Sequence, residues 1–197
     1  MPCCKNGILF EFRYHQISFV LVLFALVLGS APVHAEGVYV RSAASDFDGQ
    51  RYRLSANIDY HLSKTTLDAL HNGVPVRLRV DVEVLRKRSY WLDELIAELN
   101  FQYELSYKPL SQTYLVRNIN SGAIENFVDY DQAVTFAGWM DNVPLLDNRL
   151  LSDDELYIGH LRAVIDRAHY PFALRMWSHV RASWRFESDW YQWLLKE

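Results

Sequence analysis

The chain has 197 residues, half of them hydrophobic, six tryptophans and a formal charge of −4. An acidic balance disfavours a general grip on phosphate backbones, which requires clustered cations. Its two cysteines are adjacent, Cys3 and Cys4, so the rest of the chain has no disulfide, no thiol nucleophile and no thiolate metal ligand.

The first segment reads as an address. Lys5 and Arg13 precede an apolar run of twelve residues, ISFVLVLFALVL, from Ile17 to Leu28. Gly29 and Pro32 follow, then small side chains at Val33 and Ala35. A basic region, a short apolar core and a small-x-small site make a signal peptide over residues 1–35. The run is short for a membrane span, which takes roughly 20 residues to cross about 30 Å of hydrocarbon. An uncleaved anchor stays open as the alternative. The expected location is outside the cytoplasm. Cleavage would leave residues 36–197 as a single domain, still acidic because the leader takes away Lys5, Arg13 and only Glu11. About 160 residues can bury roughly 70% of their unfolded surface and stand on one core.

Beyond Glu36 the pattern is mainly β. RYRLSANIDYHL puts Tyr52, Leu54, Ala56, Ile58, Tyr60 and Leu62 on one face and polar residues on the other, the period of a half-buried strand. Asp48-Gly49 before it predicts a β-turn; DFDG lacks the later ligands of a calcium loop. SKTTLDALHNG predicts a short helix with Ser63 as N-cap and Gly73 past its end. VPVRLRVDVEVL repeats the strand pattern, with Val74 to Val84 inward and Arg77, Arg79, Asp81 and Glu83 outward.

LNFQYELSY is a further strand, and QTYLVRNI with AIENFV around NSG reads as a hairpin. Asp129 caps a second short helix, YDQAVTFAG, closed by Gly138. ELYIGHLRAVID carries apolar residues on both faces, as a central strand would. Pro171 ends a loop, VRASWRF predicts the last strand, and SDWYQWLL predicts a terminal helical turn with Trp190 and Trp193 on one side. The expected fold is an antiparallel β-sandwich of about seven strands with two short helices.

YRLSANIDYHLSKTTLDALHNGVPVRLRVDVEVLRKRSYW, YELSYKPLSQTYLVRN, SGAIENF and RFESDWYQW together resemble the DUF4390 family, exported proteobacterial proteins of unknown function also labelled proline-rich signal peptide proteins. The resemblance runs from about Val38 to the end, and its most specific elements are ALHNGVP, RKRSYW and SDWYQW. It implies a periplasmic or membrane-associated β-rich domain. The family's genes often stand beside those of a membrane sensor kinase and its response regulator, which makes a kinase the partner implied by association. It transfers no catalytic residue.

Two constellations compete for function. Arg86, Lys87 and Arg88 end a strand and lead into Tyr90 and Trp91. They are solvated edge charges that deter strand-to-strand aggregation, with Tyr90 and Trp91 packed below them, or, with Trp91, a docking patch for anionic headgroups or an acidic partner. Trp177, Trp190 and Trp193 near the C-terminus form the second set, core closure in one reading and a platform for a glycan or small ligand in the other. Metal binding has little footing. His61, His71, His160, His169 and His179 form neither H-x-x-x-H nor H-E-x-x-H. The adjacent acids of SDDEL at 152–156 read as solvated loop residues rather than an acid/base pair. There is no G-x-S-x-G and no glycine-rich phosphate loop. The expectation is a non-enzymatic binding domain without cofactor, metal or nucleic acid.

Overall fold

Side chains that alternate with period two place one face of each strand in the interior, and that rule shapes the domain. The structure, a computed structural model, describes residues 37–152, 154–166 and 186–195. All belong to the larger of the two units into which the chain divides, Ala35–Glu197. In chain order the elements are β1 (Gly37–Phe47), β2 (Arg51–His61), α1 (Lys64–His71), β3 (Val76–Arg86), β4 (Glu94–Lys108), β5 (Thr113–Asn118), β6 (Ile124–Phe127), α2 (Tyr130–Gly138), β7 (Trp139–Asp147), a 3₁₀ turn (Asn148–Leu150), β8 (Tyr157–Asp166) and β9 (Tyr191–Leu194).

The strands form two sheets, β1-β2-β7 and β6-β5-β4-β3-β8-β9. Every pairing in both is antiparallel. Tyr52, Leu54, Ala56, Ile58 and Tyr60 of β2 share one core with Val76, Leu78, Val80, Val82 and Val84 of β3 and with Tyr157, Leu161, Ala163 and Ile165 of β8. Each fully buried Val or Leu is worth ~1.5–3 kcal/mol against exposure. The fold is mainly β and sandwich-like, as the alternation requires. Strand β8 lies between β3 and β9, the central place its apolar residues predict.

Both helices begin and end on their expected signals. The Ser63 hydroxyl accepts from the Thr66 N–H at 3.1 Å. Gly73 leaves the helix at φ +86°, and the N–H groups of Gly73 and Val74 return to the carbonyls of Leu70 and Ala69 at 3.0 Å each. The Asp129 carboxylate accepts from the Asp131 N–H at 2.6 Å, and α2 buries Ala133, Val134 and Ala137.

Three strands depart from the reading. Nine are present among the described residues, against about seven expected. β1 is bulged between Val40 and Ser42, so its buried set shifts from even to odd positions and the period is lost to the eye. β7 contains Pro144, tolerable because β7 is a sheet edge. The expected helical turn in SDWYQWLL is a strand instead: Tyr191 to Leu194 pair with Leu161 to Ile158. An unpaired strand β8 offers more backbone hydrogen bonds than one isolated turn of helix can make for itself. Residues 180–185 of the expected last strand lie outside the described residues, as do Pro171, Trp177 and the leader; Phe186 is buried and Glu187 bridges Val164.

The ladders also fix which loops share an end. Arg86 faces Glu94 on one side and Tyr157 on the other, and Ile158 faces Leu194. The β3–β4 connection, the start of β8 and the finish of β9 therefore meet at one end of the six-stranded sheet. Helix α1, which connects β2 to β3, lies at the other end.

Candidate binding surface at one end of the larger sheet

The connection from β3 to β4 enters on cations and leaves on acids, RKR before SYWL and DE after it. Antiparallel pairing folds that mirror image onto itself. Arg86 and Arg88 both bond the Glu94 carboxylate, Lys87 meets Asp93 at 3.0 Å, and Arg86 has Glu155 at 3.9 Å. The Arg86 guanidinium is what chiefly holds the Glu94 carboxyl below its ordinary range, against a smaller desolvation penalty. Lys87 does the same for Asp93. The backbone N–H of Lys87 donates to the Leu156 carbonyl at 2.8 Å, tying the β7–β8 connection to the hairpin.

The three cations read from the sequence are thus brought together, each facing a carboxylate. What projects beyond them is apolar. Tyr90, Trp91 and Leu92 are 94%, 82% and 91% exposed, so the two aromatics expected to pack below the cations stand out in water instead. Leu95, Leu156 and Leu194, each about half exposed, sit at the same end. Reading Arg86, Lys87, Arg88 and Trp91 as the site overlooked Tyr90 and Leu92. The available signal was four residues, SYWL, in a connection that ought to be polar.

The C-terminal aromatics have other engagements. Trp193 Nε1 donates to Ser45 Oγ at 3.0 Å, joining β9 to β1 across the two sheets. Its ring occupies the space where Gly159 would carry a side chain. Trp190 lies beneath the Arg162 guanidinium, 4.6 Å from ring centroid to the charged carbon, with the His160 ring at 6.0 Å. Arg162 in turn reaches Asp81 at 3.4 Å and Glu187 at 3.6 Å. The outward cations Arg77 and Arg79 face Glu104 at 3.3 Å and Asp81 at 3.1 Å. The face of the sheet is charge-balanced like the hairpin.

Among the described residues no three His, Cys, Asp or Glu side chains gather as metal ligands. His71 Nε2 is 2.7 Å from the Tyr114 hydroxyl, and His61 is 4.0 Å from Asp59. No described helix is long and apolar enough to cross a membrane.

Fold and surface together define a two-sheet antiparallel β domain with a clamped, apolar hairpin tip. The chain belongs to the family whose model, described as a domain of unknown function, DUF4390, matches residues 35–194. No curated protein and no solved structure matches it.

Proposed function

We propose that this chain is exported by its leader and acts as a non-enzymatic binding domain at the periplasmic face of the inner membrane, docking through the β3–β4 tip. The observation that carries the reading is the exposure of Tyr90, Trp91 and Leu92 in sequence on a hairpin held by four ion pairs. Three adjacent large apolar side chains facing water, fixed rather than folded back, mark an interaction site. Arg86, Lys87 and Arg88 serve here mainly to shape the tip, since their charge is matched by Asp93, Glu94 and Glu155. The gene association that the family resemblance implies makes a membrane sensor kinase system the protein partner to look for.

The rival reading, a glycan or small-ligand site on Trp177, Trp190 and Trp193, has less to work with at the two that lie among the described residues. Trp193 uses its N–H on Ser45 and one face on Gly159, and Trp190 gives a face to Arg162.

A photo-crosslinking side chain at position 91, in living cells, tests the proposal. Position 124 on the exposed edge strand β6 serves as control. Adducts with an envelope component, protein or lipid, are expected from 91 and not from 124. Equal yields from both positions, or the full chain recovered from the cytoplasm with Met1 attached, would overturn it.

A further inference from the structure

Resting on that docking role, we infer that the tip's partner is the bilayer itself, entered by apolar side chains and without preference for anionic lipid. The tip is built on one hairpin with its three apolar side chains more than four-fifths exposed, and a buried aromatic contributes about 150–250 Å². Tyr90, Trp91 and Leu92 together fall short of the ~800 Å² per partner that a specific protein interface buries. A membrane interface needs no complementary pocket and holds tryptophan and tyrosine rings at headgroup depth.

Charge decides the lipid. A patch that attracts anionic headgroups needs unmatched cations, whereas Arg86, Lys87 and Arg88 face Asp93, Glu94 and Glu155. Three against three leaves no field to draw a phosphate-rich surface. The pairing also lowers the cost of bringing this collar near hydrocarbon, because each ion already has a counter-charge. Leu95, Leu156 and Leu194 stand behind the collar at the same end of the sheet, so deeper seating finds more apolar surface.

The test uses the full chain with vesicles of phosphatidylcholine alone and of phosphatidylcholine mixed with phosphatidylglycerol. All six tryptophans lie outside the leader, at 91 and beyond, so quenching by spin-labelled lipid reads the domain and not the apolar run. Trp91→Phe subtracted from wild type isolates the tip. The expected result is a Trp91 signal quenched equally in both vesicle types and unchanged by salt. Replacing Tyr90 and Leu92 by Ser, with Trp91 kept as the reporter, should lower the Trp91 quenching about tenfold, the share of apolar transfer those two side chains supply. Circular dichroism should match wild type, since both are exposed.

Quenching only in the phosphatidylglycerol mixture, unaffected by the Ser variant, would replace insertion by electrostatic contact and overturn the inference. Absence of Trp91 quenching, with protein adducts still forming from position 91 in cells, would assign the tip to a protein and leave the docking role intact. Absence of both would remove the two readings together.

Discussion

Gly159 has no side chain, and the Trp193 ring lies where one would be. A Cβ there collides with three ring atoms of an indole whose Nε1 is held by Ser45. Ring and glycine therefore act as one feature, and the feature seats the short strand β9 on β8. Gly159→Ala should cost about 1–3 kcal/mol, the usual penalty for forcing atoms into a filled space. The same substitution in a Trp193→Ala background should cost much less, because the obstructing ring is gone. Denaturant unfolding of the four proteins measures the coupling; additive losses would show that the ring moves aside freely. None of this was legible locally. Trp193 was readable as an unusual aromatic, but its partners lie 34 residues upstream and, 148 residues away, on β1 of the other sheet, distances that no pattern in SDWYQWLL reports.

Among the elements, those written in unbroken alternation were legible and those with an interruption were not. β2 and β3 carry their buried residues at every second position throughout. β1 loses its parity at the bulge after Val40, β7 holds Pro144 and a positive φ at Asn142, and Trp193 of β9 stands three residues after Trp190, a spacing that mimics a helix. Turns were easier, because their chemistry is local. At the β1–β2 turn the Asp48 carboxylate accepts from the N–H groups of Arg51 at 2.8 Å and Gln50 at 3.0 Å, and from the Arg53 side chain at 2.6 Å. The Arg51 N–H is the largest of the influences that lower its pKa from 3.8 to about 2. A carboxyl whose folded pKa is depressed stabilises the fold while ionised. Its contribution is complete above pH 3.8 and disappears as the pH falls through about 2. Asp48→Asn should therefore be less stable than wild type at neutral pH, and the gap should close across that acid window. Thermal unfolding at a series of pH values checks it; a gap that persists below pH 2 would mean that geometry, not charge, makes the turn.

For the molecule as a whole, stability and recognition are assigned to different ends of the same strands. The only cysteines are Cys3 and Cys4, so no covalent tie reinforces the sandwich. The middle of β3 bears that duty: Leu78 is fully buried, with Tyr103 of β4 on one side and Ile165 of β8 on the other. Leu78→Ala should cost about 2–5 kcal/mol, a large fraction of the ~5–15 kcal/mol that holds a typical domain together. Along the same strand and past Arg86, Trp91 touches almost nothing, and Trp91→Ala should change stability by no more than about 0.5 kcal/mol. The sequence supplied both residues but not this division. Alternation named Leu78 as core, whereas Trp91 follows three cations, and only the return of Asp93 and Glu94 along β4 shows those cations occupied and the indole left outside. Unfolding midpoints for the two variants settle the division directly. A Trp91→Ala protein as unstable as Leu78→Ala would mean that the indole is packed in solution, and a packed indole cannot serve as the docking tip.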